Sequence, residues 1–138
     1  MRKLTRIILH CTATPDGRHV DVDTIRSWHK KRGWSDIGYH YVIYLDGSVH
    51  VGRDVAKAGA HVVGHNADTI GVVYVGGTDN AGKAKDTMND AQQTAFVNLV
   101  KALRDKYGAL TLHGHNEYAA KACPSFNVKQ KFEWLVGY

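Results

Sequence analysis

The sequence is poor in the residues that cross-link or interrupt a chain. Its 138 residues include two cysteines and two prolines, so it can form at most one disulfide bond. That excludes a disulfide-stabilised scaffold, and both thiols are expected to be free and buried in a reducing compartment. No apolar stretch approaches the roughly 20 residues of a membrane-spanning helix, so membrane insertion is not expected. Repeats and Pro/Ser-rich linkers are also absent from the sequence, and residues 1–138 are expected to form a single domain.

The N-terminus lacks the long apolar segment of an export signal. Three basic residues within positions 2–6 precede only three apolar residues, 7–9, before His10. A signal peptide needs an apolar run of about 7–15 residues. The sequence therefore predicts cytoplasmic synthesis without a signal peptide.

The sequence carries more positive than negative charge. Eighteen basic and thirteen acidic residues give a net charge of +5 and a pI of about 9.3. This balance favours an anionic partner such as nucleic acid, acidic lipid or a charged polymer, and it does not choose among them. Hydrophobic residues make up 43% of the chain and charged residues 22%, which is typical of a globular protein.

Apolar patterning predicts an α/β fold with a central mixed β-sheet flanked by helices. Strands are expected at residues 4–11, 39–45, 48–53, 69–75 and 109–115, and helices at 21–31, 91–107 and 127–136. Asp46 and Gly47 predict a hairpin turn between the second and third strands. Asp23 and Asn127 are candidate N-caps of the first and last helices, and Gly108 is placed to end the middle one. Residues 76–90 are expected to form a loop.

Nine histidines are unusual for this length and suggest metal or proton chemistry. His10 ends the first predicted strand, His115 ends the last one, and Cys123 follows eight residues later. Open α/β sheets bind ligands at strand ends, so these side chains could meet if the two strands are neighbours. Two imidazoles and a thiolate make a three-ligand zinc set with one open position, as in catalytic sites. Spacing alone leaves open that the histidines are ordinary core residues, and that His113 takes the place of His115.

Four segments of the sequence carry a family resemblance. They are LHCTAT at 9–14, GWSDIGYHYVI at 33–43, GHNADTIGVVYVGG at 64–77 and KACPSF at 121–126. In this order they resemble the type 2 N-acetylmuramoyl-L-alanine amidases, above all the small phage lysozyme-type enzymes. The resemblance implies the fold shared with peptidoglycan-recognition proteins. It also implies a Zn²⁺-dependent enzyme that hydrolyses the amide bond between the lactyl group of N-acetylmuramic acid and L-alanine in bacterial peptidoglycan.

The resemblance implies a role for each of five residues. His10, His115 and Cys123 match the family's zinc ligands, which selects His115 over His113. Tyr39, in GYH, and Lys121, two residues before the cysteine, match its catalytic residues. Lys121 can stabilise developing oxyanion charge, and Tyr39 can position water or take part in proton transfer. Which of the two moves protons stays open.

The resemblance also places a loop beside the substrate cleft, and His61, His65 and Asn66 in this loop are expected to bind substrate. Thr69 stands where many relatives carry serine. Cys11 is expected to be a core thiol. Other polar residues are expected to be structural or to support the zinc ligands, namely His40, His113 and Glu117. The remaining histidines, His19, His29 and His50, are expected at the surface.

Two rival functions are compatible with parts of the sequence. The first is a non-catalytic peptidoglycan-binding module of the same fold, but the chain keeps Cys123, which favours catalysis. The second is a nucleic-acid binder, but the basic residues are scattered, with one short cluster at residues 30–32, so nucleic acid is not expected as a partner. The positive charge also suits the polyanionic bacterial wall.

The absence of an export signal conflicts with a substrate that lies outside the cytoplasmic membrane. The resemblance suggests a phage or prophage endolysin that is made in the cytoplasm and acts on the cell wall after release at lysis. A toxin delivered by a dedicated secretion machine is the alternative. In either case the domain is expected to act as a monomer on muramyl peptides.

Overall fold

The computed structural model describes residues 1–136, so the last two residues of the predicted domain lie outside the described residues. Seven strands are present in this range: β1 (Arg6–Cys11), β2 (Thr14–Pro15), β3 (Tyr41–Ile43), β4 (Val49–Val51), β5 (Thr69–Tyr74), β6 (Gly77–Thr78) and β7 (Thr111–Gly114). The α-helices are α1 (Val22–Lys31), α2 (Asp90–Tyr107), α3 (Val128–Lys131) and α4 (Glu133–Val136). A 3₁₀ turn at His115–Glu117 follows β7 directly.

The central sheet has five strands in the order β4-β3-β5-β1-β7. Strands β3, β5, β1 and β7 run parallel to their neighbours, and β4 is antiparallel to β3 across the Asp46-Gly47 turn. The sheet is therefore mixed, and helices flank it, as the sequence predicts. None of the helices within residues 1–136 has the length and apolar content that crossing a bilayer would require.

Alternation along the strands divides the sheet into two faces. On one face, side chains of β1 and β5 pack with α2, α3 and α4 in the larger core, which includes Ile7, Leu9, Ile70, Val72, Phe96, Val100 and Phe132. On the other face, Val42 and Val73 pack with Ile25 of α1 in a smaller core. His10 lies on this second face, beside the apolar Ile8, and both are fully buried.

Helix α2 ends where the sequence predicts and begins one residue before the predicted residue 91. Asn89 accepts a hydrogen bond from the Gln92 backbone N–H, and the Gln92 side chain accepts one from the Asn89 N–H, which completes a capping box. Gly108 stops the helix with φ at 94°, a left-handed conformation that costs glycine little. The prediction for α1 is wrong in its cap. The cap is Asp21, whose side chain accepts from the Thr24 N–H at 2.8 Å, while Asp23 lies in the first turn.

Three further predictions are corrected by the structure. The predicted loop 76–90 contains β6, which pairs with β2 in a separate parallel ribbon. The predicted last strand ends at Gly114 because Glu117 Oε2 accepts the Gly114 N–H at 2.7 Å and starts the 3₁₀ turn that carries His115. The predicted helix 127–136 is two short helices, since Phe132 leaves the helical conformation and is buried in the larger core.

One histidine predicted at the surface is buried. His29 is 5% exposed, and its Nδ1 accepts a hydrogen bond from the Gly38 N–H at 2.8 Å. Burial is the main cause that lowers the pKa of His29 to about 4. His19 is exposed, as predicted, and His50 is partly covered where it stacks on Tyr44.

Candidate metal centre

The site forms where two parallel neighbours of the central sheet end together. Leu9 of β1 is level with Gly114 of β7, so His10 and His115, the residues that follow them, lie side by side. Cys123 comes from the following loop, and its carbonyl accepts the Asn116 N–H at 2.8 Å. One potential ligand atom from each of His10, His115 and Cys123 lies within 4.8 Å of the others.

The donor set and the burial of these three side chains fit a zinc ion. His10 is fully buried, and its Nδ1 is the buried side-chain nitrogen or oxygen within residues 1–136 that has no hydrogen-bond partner. An unpaired buried polar atom is costly, unless it binds a ligand such as a metal. Two imidazole nitrogens and one sulfur form the three-ligand set that zinc takes in catalytic sites.

The electrostatics of the three residues differ. Burial lowers the pKa of His10 well below its ordinary value, and burial together with Lys121 lowers that of His115. Both rings are therefore neutral at neutral pH, which is the form that binds a metal. The hydrogen bond with Cys11 and burial raise the pKa of the Cys123 thiol, and Lys121 acts in the opposite direction. The Cys11 backbone N–H also donates to Cys123 Sγ at 3.1 Å.

His115 lines a cleft of about 390 Å³, and both predicted catalytic residues line the same cleft. The Tyr39 ring lies 5.0 Å from the His10 ring, and burial is the main cause that raises the pKa of its phenol, which stays protonated at neutral pH. Lys121 is exposed at the cleft and close enough to His10, His115 and Cys123 to affect their charges. Tyr39 and Lys121 are thus placed beside the three ligand candidates.

The residues predicted to bind substrate have different surroundings. His61 lines the cleft but is 8% exposed, and its ring nitrogens lie 2.8 Å from His10 Nε2 and 3.1 Å from Thr69 Oγ1. Asn66 also lines the cleft, and its Oδ1 accepts the backbone N–H groups of His61 and Val62, each at 3.0 Å. His65 lies outside the cleft lining and packs against Tyr118, with ring centroids 4.4 Å apart and ring planes tilted by 39°.

The residues predicted to be structural or to support the zinc ligands contact backbone groups and neighbouring side chains. Glu117 is 3.0 Å from His113 Nδ1 and 3.1 Å from Lys129 Nζ, in addition to its bond with Gly114. His40 accepts the Gly71 N–H at 3.0 Å through Nδ1. Cys11 is 5% exposed in the larger core, so the prediction of a core thiol is confirmed.

The structure adds cleft residues to which sequence reasoning assigned no role. His29 and Arg32, at the end of α1, line the cleft with Trp34, Tyr118 and Val63. Val63 is 97% exposed. Trp34 lies within the segment 33–43 that carries the family resemblance, and Tyr118 lies between His115 and Cys123. These positions are the signals that could have identified both aromatic residues.

Known proteins resemble this chain over most of its length. Residues 1–126 match the family described as N-acetylmuramoyl-L-alanine amidase. The endolysin of Escherichia phage T7 is 44% identical over 127 residues, which cover 92% of this chain and 84% of that protein. The endolysin of Klebsiella phage KP32 is 41% identical over 132 residues, covering 96% and 87%.

A solved structure shows the same fold. The N-acetylmuramoyl-L-alanine amidase LysC from Clostridium intestinale superposes with a TM-score of 0.79 at 29% identity, over 96% of this chain and 87% of that one. Zinc dependence is typical of this family, and the described residues offer a His/His/Cys site for such an ion. The chain therefore belongs to the N-acetylmuramoyl-L-alanine amidase family, as an amide-bond hydrolase related to the phage endolysins.

Proposed function

We propose that residues 1–138 form a single zinc amidase domain that hydrolyses the bond between the lactyl group of N-acetylmuramic acid and L-alanine. The observation that carries the proposal is the convergence of His10, His115 and Cys123 at the edge of an open cleft, with His10 Nδ1 buried and unpaired. The relatives named above support an endolysin made in the cytoplasm that acts on the wall after release at lysis.

In this proposal His10, His115 and Cys123 hold the zinc ion. Zinc bound by three protein ligands lowers the pKa of a water molecule and polarises a carbonyl group. The Cys123 thiol must give up its proton to bind the ion, and the nearby ammonium of Lys121 favours the thiolate.

The proposed catalytic groups are Tyr39 and Lys121. The Lys121 ammonium stabilises negative charge that develops on the amide oxygen during attack, as an oxyanion-hole donor does. The protonated Tyr39 hydroxyl donates a hydrogen bond and orients the attacking water or the substrate. Glu117 is unsuited to the role of general base, because its carboxylate is bound by His113, Gly114 and Lys129.

Charge complementarity supports a muramyl peptide as the occupant of the cleft. Arg32 and Lys121 line the cleft, and no carboxylate is among its described lining residues. Peptide stems of peptidoglycan carry free carboxylates, which these cations attract. We propose that His61, His65 and Asn66 border the bound substrate, and that the domain works as a monomer without nucleic acid.

Digestion of purified peptidoglycan tests the reaction. We expect new L-alanine amino termini without new reducing sugars, loss of activity with a chelator, and recovery when zinc is added back. New reducing sugars would instead identify a glycosidase. Binding of muramyl peptides by the zinc-loaded chain without release of peptide would identify a non-catalytic module and contradict the proposal.

A lysine pair tests the proposed oxyanion role. Replacing Lys121 with alanine is expected to lower kcat by about 100-fold, the usual effect of removing one oxyanion donor, while zinc stays bound. Lys101→Ala, an exposed substitution on α2, is the matched control and should keep wild-type kcat. Loss of zinc from Lys121→Ala would show that the lysine supports the metal rather than the reaction.

A further inference from the structure

Both ring nitrogens of His61 are occupied by protein partners, although the ring borders the cleft. Nδ1 lies 2.8 Å from His10 Nε2, and Nε2 lies 3.1 Å from Thr69 Oγ1. Thr69 Oγ1 in turn lies 2.7 Å from the carbonyl oxygen of His65. These contacts form a buried chain that ends on the ring of His10, a candidate zinc ligand.

The carbonyl oxygen of His65, at the end of this chain, determines which atom donates in each hydrogen bond. A carbonyl oxygen only accepts, so the single hydroxyl proton of Thr69 is donated to His65. Thr69 Oγ1 must then accept from His61 Nε2–H, which leaves His61 Nδ1 as a bare acceptor. His10 Nε2 must therefore carry a proton and donate it to His61. The lone pair of His10 is left on Nδ1, the buried atom without a partner.

The backbone around His61 is shaped to hold its ring. A Cβ atom on Gly71 would lie 2.7 Å from His61 Cγ, and one on Gly59 would lie 2.8 Å from His61 Cδ2. A Cβ atom at Gly71 would displace the ring, and one at Gly59 would also lie 2.6 Å from the Gly38 carbonyl oxygen. Asn66 closes the same loop by accepting the His61 backbone N–H at 3.0 Å. The ring is thus packed closely against Gly71 and Gly59, and its backbone is held by Asn66.

We propose that His61 is a positioning residue that, together with Thr69, fixes the tautomer and orientation of His10 so that Nδ1 is presented to zinc. This inference rests on the proposed zinc site. Metal-bound histidines commonly donate their second ring N–H to a fixed acceptor, and losing that acceptor weakens metal binding by about 10–100-fold. Here the acceptor is a second imidazole, whose own tautomer is set by a threonine hydroxyl.

Zinc affinity measured by competition with a chromophoric chelator tests the inference without relying on activity. His61→Ala is expected to weaken zinc binding by about 10–100-fold. His61→Asn places an amide oxygen near the former Nδ1 and should recover most of that loss. Thr69→Val keeps the shape but removes the acceptor for His61 Nε2–H, so we expect a several-fold loss. Thr69→Ser keeps the hydroxyl and should stay within about twofold of wild type.

A spectroscopic readout separates a positioning role from a general loss of packing. In metal-free wild-type protein, long-range ¹H–¹⁵N correlation spectra should show His10 protonated on Nε2 only. Thr69→Val should give a mixture of His10 tautomers in a protein that is still folded. The inference is overturned if His61→Ala and Thr69→Val both keep wild-type zinc affinity and a single His10 tautomer. A rise in KM with unchanged zinc affinity in His61→Ala would instead make His61 a substrate-binding residue.

The wild-type protein provides the check on the underlying proposal. If wild-type protein itself binds no zinc, the proposed zinc function fails, irrespective of the variants. If wild-type protein binds zinc and the variants bind it equally well, the zinc function stands and only the role of His61 and Thr69 is wrong.

Discussion

The two faces of the central sheet are built from the same strands but carry different chemistry. On the helix-covered face, Ile7 and Leu9 of β1 pack with apolar residues of α2 and need no polar partner. On the cleft face, His10 of the same strand meets His61 and, through it, Thr69, all of them buried. The first face stabilises the fold by removing apolar surface from water. The cleft face has its own smaller apolar core and also holds buried polar groups that need hydrogen-bond partners.

The difference shows how the fold can bear an unsatisfied atom. Burying a polar group without a partner costs about 1–3 kcal/mol, which the apolar face can offset by burying a few additional methylene groups. On the cleft face the buried polar side chains are paired, and His10 Nδ1 is the exception among the described residues. The exception lies beside the other two ligand candidates, so the cost falls on the group that would bind the metal.

The largest expected contrast comes from the two cysteines. Cys123→Ala should remove a zinc ligand and lower activity by more than about a thousandfold, which corresponds to about 4 kcal/mol. Cys11→Ala, on the apolar face, should leave zinc bound and cost about 1 kcal/mol of unfolding free energy, since it removes one small buried group. Zinc content, turnover on peptidoglycan and urea unfolding check the pair.

Two outcomes of these substitutions would contradict the assignment of Cys123 to the metal site and of Cys11 to the apolar core. Full turnover of Cys123→Ala without metal would remove it from the ligand set. Loss of zinc from Cys11→Ala would show that its side chain, and not only its backbone N–H, supports Cys123 Sγ.

Truncating a side chain in the apolar core is expected to have the next largest effect. It should lower the stability of the fold and leave the candidate metal site unchanged. Phe96 is fully buried, with its ring centroid 5.0 Å from that of Phe132. Phe96→Ala should lower the free energy of unfolding by about 3–5 kcal/mol because it leaves a cavity. Zinc affinity of the folded fraction should stay unchanged. A parallel fall in zinc affinity would show that the two faces are mechanically coupled.

Acid should act mainly through the cleft side, and His40 provides a test. Burial is the main cause that lowers the pKa of His40 to about 4, and protonation of Nδ1 would also remove the acceptor of the Gly71 N–H. The pKa of His40 in the folded protein lies below its unfolded value of about 6.5. Neutral His40 therefore makes its full contribution to the free energy of unfolding above pH 6.5. That contribution is lost as the pH falls from 6.5 towards 4, and amounts to about 3 kcal/mol.

His40→Asn keeps an acceptor for Gly71 but cannot take up a proton in this range. The variant should be less stable than wild type at pH 7.5, because the contact of His40 Nε2 with the Lys57 carbonyl is lost. The difference in unfolding free energy between wild type and His40→Asn should be about 2–3 kcal/mol smaller at pH 4.5 than at pH 7.5. Urea unfolding at both pH values, with a chelator present, measures the change. Parallel pH profiles of the two proteins would show that His40 does not titrate on unfolding.

The two faces also differ in how much of them the sequence predicts. The apolar face depends on local periodicity: Phe96, Val100 and Leu103 recur at helical spacing, and β1 and β5 are short apolar runs. The cleft face depends on contacts between distant residues, such as the pairing of His10 with His61 across 51 positions. No local pattern encodes such a contact, so the burial of His29 and the chain from His10 to Thr69 required the structure.

The candidate site lies between these extremes. Placing His10 and His115 at strand ends was possible from the sequence, but their meeting depends on β1 and β7 being neighbours, which the pattern leaves open. The family resemblance selected His115 over His113, and the structure brings His115 to the cleft while His113 binds Glu117. Their roles in zinc binding stay predictions until the metal is measured.

The smallest effect is expected where local sequence signals were ambiguous, at the start of α1 on the cleft side. Asp21 and Asp23 are both suitable cap residues, and the structure uses Asp21, which accepts the Thr24 N–H at 2.8 Å. Asp21→Ala should therefore cost about 1 kcal/mol of unfolding free energy. Asp23→Ala loses only an exposed pair with Arg26 and should change stability by less than about 0.5 kcal/mol. Equal losses in urea unfolding would show that the cap is shared between the two carboxylates.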